Sequence, residues 1–122
     1  MAQHFKDLVA WQKAMDLVEA VYVSSERFPQ KETYGLTSQI RRAAVSVPSN
    51  IAEGQAKFSK REFRHYLRSA KGSLAELENQ IIIATRLNYL TQNTSEQLTS
   101  LIRELGRILA GLISSLRVED AD

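Results

Sequence analysis

From Leu98 to Leu116 the chain sets a large aliphatic residue at every third or fourth position: Leu98, Ile102, Leu105, Leu109, Leu112 and Leu116. Alternating steps of four and three return side chains to one side of an α-helix, which turns once in about 3.6 residues. They leave a narrow apolar seam of the kind that packs helix against helix. A strand needs alternation with a period of two, and no such alternation competes. Apolar residues recur with the same helical spacing in three further segments upstream. A chain built this way is confined to all-α folds in which each stripe is buried against the others.

The first segment runs from about Asp7 to Arg27, with Leu8, Trp11, Met15, Val18 and Tyr22 as its stripe and Trp11 as a core anchor. Phe28-Pro29 ends it, because proline biases its predecessor away from helical geometry. The second runs from about Thr33 to Ala56 and carries Leu36, Ile40, Ala43, Ala44, Val47 and Ile51. Pro48 sits inside it and removes one helical hydrogen bond. The apolar spacing continues through Pro48, which points to a kink; two shorter helices are the alternative. Gly54 is placed to stop this helix. The third segment opens at Ser59, whose spacing to Glu62 is that of a capping box, and reaches about Leu87 with Phe63, Leu67, Ala70, Leu74, Leu77 and Ile81 buried. Ile81, Ile82 and Ile83 point three ways around a helix, so at least one faces away from the core of one bundle, toward a subunit interface or the bundle end.

The fourth segment opens at Asn93 or Thr94 and runs to about residue 117. Gly106 and Gly111 lower its helix propensity by about 1 kcal/mol each, and are expected to admit a neighbouring helix. The tail Glu119-Asp120-Ala121-Asp122 is acidic and is expected to fray. With only five Gly and two Pro in 122 residues, the elements are long and the turns short. The expectation is one domain over residues 1–122, an antiparallel up-down-up-down four-helix bundle with a kinked second helix.

The chain has no Cys, which removes disulfides, thiol chemistry and Cys-based zinc sites and fits a reducing compartment. Met1–Asp7 carries no apolar run of signal-peptide length, and no stretch approaches the roughly 20 apolar residues of a membrane span. A cytoplasmic protein without membrane contact is expected. His4 and His65 are the only histidines, and the single Glu-x-x-His spacing, Glu62 to His65, has no second copy, so no di-metal bundle site is read. No glycine-rich phosphate loop or nucleophile elbow is present. No cofactor is expected and no enzymatic activity: carboxylates without a nucleophile, a metal cluster or a second acid at defined spacing do not make an active site.

The net charge is only +2, so charge acts here through its placement. Lys57, Lys60, Arg61, Arg64, Arg68 and Lys71 fall within an arc of roughly 100° on a helical wheel, centred about 110° around from the Phe63 and Ala70 stripe. Lys57 precedes the cap, so its wheel position is the least secure. Glu62 is the only acid between Lys57 and Lys71. Like charges on one face repel, and a phosphate backbone relieves that repulsion while releasing counterions. DNA or RNA, bound through its backbone with little base readout, is the functional reading of this face. A solvated face, or cations paired with acids of another subunit or an acidic protein, is the alternative. A second pattern, Arg42, Ser46, Asn50 and Glu53, steps by four, four and three along the second helix beside the apolar stripe, with Ser73 and Glu76 as candidate partners on the third. It reads as a hydrogen-bonded seam that fixes helix register rather than as an active-site ribbon.

The motifs Phe5-Lys6-Asp7-Leu8-Val9-Ala10-Trp11-Gln12-Lys13-Ala14, Phe28-Pro29, Tyr34-Gly35-Leu36-Thr37-Ser38-Gln39-Ile40-Arg41-Arg42-Ala43-Ala44-Val45-Ser46, Asn50-Ile51-Ala52-Glu53-Gly54, Glu62-Phe63 and Ala70-Lys71-Gly72-Ser73-Leu74-Ala75-Glu76-Leu77-Glu78 together resemble a known family. It comprises the four-helix-bundle proteins encoded in intervening sequences of bacterial 23S ribosomal RNA genes and includes the accessory variability proteins of diversity-generating retroelements. The likeness covers residues 5 to about 116. It implies an antiparallel bundle that assembles as a ring-shaped homopentamer and has no enzymatic activity. In the retroelement branch it implies nucleic-acid binding through basic surface and association with a reverse transcriptase. The residues the family shares map onto Arg41, Arg42, Ser46, Asn50, Glu53, Gly54, Ser73 and Glu76.

Overall fold

A computed structural model describes residues 4–117, and the acidic tail lies outside them. Four α-helices make up the described residues: α1 (Val9–Ser25), α2 (Leu36–Gln55), α3 (Lys60–Arg86) and α4 (Gln92–Ser115), with 3-10 turns at Phe5–Asp7 and Gln30–Glu32. Each helix packs on its sequence neighbour, and α1 closes the ring against α4; the diagonal pairs do not meet. This is the antiparallel four-helix bundle that short connections dictate. No strand occurs among the described residues.

The stripes of α2, α3 and α4 lie in the core much as their spacing predicts. Leu36, Ile40, Ala43, Ala44, Val47 and Ile51 are buried, as are Leu67, Ala70, Leu74, Leu77, Ile81, Leu98, Ile102, Leu105 and Leu109. The first helix differs. Its buried face is Ala10, Ala14, Leu17, Val21 and Ser25, centred about 100° around the helix from the stripe read in the sequence. Small Ala10 and Ala14 let neighbouring backbones close in, while Trp11 and Val18 pack on the core from the flank. Trp11 meets Phe5 edge-on at 5.4 Å rather than sitting at the centre. Tyr22 is exposed.

The ends of the helices are set by side chains. Ser59 Oγ accepts the Glu62 N–H at 3.3 Å, as its spacing predicts. The cap of α4 is Thr91, two residues before the predicted start, and its Oγ1 accepts the Thr94 N–H at 3.1 Å. Helix α2 runs unbroken through Pro48, which is buried. Gly54 is not the stop that the sequence suggests. It lies within the helix, and a Cβ there would stand 2.6 Å from Tyr66 Cβ and 3.1 Å from Phe63 Cδ1, so its role is close approach of α3. The chain turns instead at Phe58, whose φ is 56° and whose ring is 83% exposed. Gly106 and Gly111 meet no neighbour in the protomer; nothing lies within 4 Å of a Cβ built on either. Of the three isoleucines, Ile81 is buried, whereas Ile82 is 50% and Ile83 39% exposed. Gln80 is buried with its Oε1 unpartnered among the described residues, and an orphaned polar atom costs about 1–3 kcal/mol.

Candidate nucleic-acid interface

The Ser59 cap fixes where α3 begins, and so which way its cations face. Lys60, Arg61, Arg68 and Lys71 are exposed along the outer side of α3. Among the described residues none of the four meets a carboxylate; the ion pair found there is Lys13 with Glu104, at 3.6 Å between α1 and α4. The face is therefore a row of solvated positive charge.

Two of the six cations read as one arc differ from the other four. Lys57 precedes the cap and is not on the helix; its Nζ sits 5.7 Å above the ring of Tyr66, on the flank of α3 turned toward α2. A residue outside the helix does not follow the helical wheel. Arg64 keeps its wheel position but is half-buried, and its Nε donates to the Ile113 carbonyl at 3.3 Å. That carbonyl belongs to the last turn of α4, where it also accepts the Leu116 N–H at 3.1 Å and where the macrodipole favours a cation. Arg64 thus closes the end of α4 as well as lying in the cationic face. Arg41 does the same for α1, donating to the Tyr22 carbonyl at 3.2 Å and to Ser25 Oγ at 2.8 Å, with its guanidinium 4.5 Å from the centre of the Tyr22 ring.

The polar seam lies between α2 and α3. The Ser46 and Ser73 hydroxyls share a hydrogen bond, Ser46 also donates to the Ala43 carbonyl, and Asn50 Nδ2 donates to the Ser46 carbonyl at 2.8 Å. Glu53 accepts from the Tyr66 hydroxyl at 3.1 Å, a partner that sequence spacing does not reveal because it comes from the other helix. Arg42 and Glu76 are exposed and, with Gln39, Ala43 and Ser46, line a cleft of about 290 Å³. They do not form an ion pair. Four of the six seam residues are joined to partners; Arg42 and Glu76 open onto solvent. Among the described residues no cluster of three metal-ligating side chains occurs, and no helix is long and apolar enough to cross a membrane.

The sequence reading passed over Arg103 and Arg107. They stand one turn apart on the outside of α4, at a spacing of four that places them on one face.

A family model for the 23S rRNA-intervening sequence proteins matches residues 6–111. The chain belongs to that family. The match takes in the α3 cations, the seam and the α4 arginines of this intervening-sequence protein. A solved structure from Bacteroides thetaiotaomicron, described as a protein of unknown function from the S23 ribosomal protein family, is 21% identical, with a TM-score of 0.77 over 86% of this chain and 98% of its own. At that identity the likeness is one of fold. No curated protein matches the chain.

Proposed function

We propose that this intervening-sequence protein is a non-enzymatic homo-oligomer, a ring of five on the family resemblance, that binds nucleic acid electrostatically through the outer face of α3. The observation that carries the reading is the row Lys60, Arg61, Arg68 and Lys71, exposed and without carboxylate partners among the described residues. Such a row gives sequence-tolerant affinity for phosphate backbones, and assembly multiplies it by presenting several copies at high effective concentration. A reverse transcriptase partner belongs to this reading if the protein is of the retroelement branch, and a reverse transcriptase gene beside its own would place it there.

The test is fluorescence anisotropy with labelled random-sequence DNA and RNA across a salt series. Affinity is expected to fall linearly on a log–log plot, with a slope of about 0.7–0.9 per phosphate neutralised. Arg61→Glu with Arg68→Glu is expected to abolish binding while the fold persists, since both side chains are exposed. Arg64 is left in place because reversing it sets an anion against the C-terminal carbonyls of α4. No binding at low salt, or binding unchanged in the double reversal, overturns the proposal and favours a module whose basic face meets an acidic protein.

A further inference from the structure

A second pair of exposed cations, Arg103 and Arg107, stands on the neighbouring helix α4. The Arg64–Ile113 hydrogen bond sets the register between antiparallel α3 and α4. Six residues back from Ile113 along α4 is Arg107, which therefore stands level with Ala70 and Lys71; Arg103 lies one turn further. Around α4, the two arginines lie about 80° and 120° outward from Ile113, away from the Leu98–Leu109 stripe. They thus point to the same side of the bundle as Arg68 and Lys71. Gly106 lies on the side of α4 toward α3 and leaves open space there. Arg103 and Arg107 border a polar depression of about 450 Å³ with the hydroxyls of Ser95, Thr99 and Ser100. Glu96, which accepts from Gln92 Nε2 at 3.1 Å, puts a carboxylate at its far end and ends the cationic stretch.

Building on the electrostatic reading above, we infer that Arg103 and Arg107 form a second cationic rail and that the ligand is double-helical nucleic acid, its two backbones held by α3 and α4. Packed helix axes lie about 8–10 Å apart. Two rails at that separation fall between the widths of the two duplex grooves, about 6 Å and 12 Å in B-form DNA. The α3 rail from Lys60 to Lys71 is about 16 Å long, the rise of about five base pairs. A single strand has one backbone and engages one rail. Proteins that hold single strands also stack successive bases on a run of aromatic rings; beside the α3 row stand only exposed His65, whose ring meets that of Tyr66 edge-on at 5.5 Å, and Phe58 before the cap, and α4 carries no aromatic residue. Tyr66 is on the other flank, bonded to Glu53 and covered by Lys57.

The experiment compares 16-base-pair random-sequence duplex DNA, duplex RNA and single strands of the same length by anisotropy across a salt series. At least one duplex is expected to bind more tightly than its single strands and with a steeper salt slope. Arg103→Gln with Arg107→Gln is expected to lower the duplex slope by about 1.8, two phosphate contacts' worth, and to leave the single-strand slope unchanged. Arg103→Lys with Arg107→Lys restores it, because the charge is kept. Single strands bound as tightly as both duplexes, or a duplex slope unmoved in the glutamine pair, overturns this inference while electrostatic binding by α3 stands. Absence of binding to every probe overturns both. The wild-type comparison of duplex with single strand needs no variant, so the inference stays testable if a variant misfolds.

Discussion

Gly54 and Phe58 exchange the roles that their residue types suggest. A glycine near a helix end is ordinarily the residue that turns the chain with positive φ. Here Gly54 is helical and buried, and its missing Cβ is the space in which Tyr66 and Phe63 sit. Phe58 takes the left-handed turn with its ring in solvent. Gly54→Ala is therefore expected to destabilise the fold by about 1–3 kcal/mol despite a gain in helix propensity. The atom it strikes is the Cβ of Tyr66, which cannot move without its backbone. Phe58→Asn is expected to stabilise by about 1 kcal/mol, since asparagine tolerates the left-handed region that costs an aromatic residue about 1–2 kcal/mol. Chemical denaturation of the two variants beside the parent checks both signs. A Gly54→Ala protein as stable as the parent shows that α2 and α3 can separate without loss.

Three of the charged or polar clamps that join the elements are where the sequence was least legible. Helices α2, α3 and α4 could be read because every third or fourth residue is apolar and their neighbours bury that stripe. The face of α1 was misread because Ala10 and Ala14 carry weak apolar signal beside Trp11, Met15 and Tyr22, yet small residues let helices approach most closely. Arg41 closing α1 and Arg64 closing α4 were invisible because each acts on a carbonyl of another helix. So was the third clamp. The Glu32 carboxylate accepts the Leu36 N–H, 3.1 Å away at the start of α2, and the Tyr89 hydroxyl, 3.0 Å away in the α3–α4 turn. The Leu36 N–H and then the Tyr89 hydroxyl hold Glu32 below the usual carboxylate range, and the same bond pushes the Tyr89 hydroxyl up. A lowered carboxylate pKa contributes stability that is present above the ordinary value of 4.5 and lost as pH falls through the folded one. A raised tyrosine pKa contributes stability that is present below 10.0 and lost as pH rises through the folded value. The stability advantage of the parent over Glu32→Gln is thus expected to be flat near neutrality and to shrink below about pH 4.5. Thermal melts of both proteins across acid pH measure it, and an advantage independent of pH shows that the carboxylate charge plays no part in the clamp.

At the scale of the whole molecule the two outer surfaces of α3 differ, and the difference bears on assembly. Ile82 shares the flank of Arg64 and Arg68, while Ile83, about 100° further around, points outward with Glu76, between the cations and the α2–α3 seam. Both isoleucines are exposed in the protomer, as are Tyr34 at 96% and Leu87 at 49% near the same end of the bundle. Single exposed apolar residues are ordinary, but several gathered at one end favour a partner surface. A ring joins its members head to tail, so one patch meets a different patch on the next copy. An interface through Ile83 is compatible with the proposed function where the second patch that it meets also lies away from the cations of α3 and α4. The expected mass in solution is an integer multiple of the 13.8 kDa protomer, five on the family resemblance. Ile83→Glu is expected to drive that mass toward a single chain and to weaken nucleic-acid binding, because separate protomers lose the benefit of linked sites. Light scattering at micromolar concentration, repeated with anisotropy on the same samples, separates the two effects. A parent that is already monomeric removes the ring. A variant that stays assembled moves the interface away from Ile83, and one that dissociates yet binds as tightly as the parent shows that a single pair of rails is the whole site.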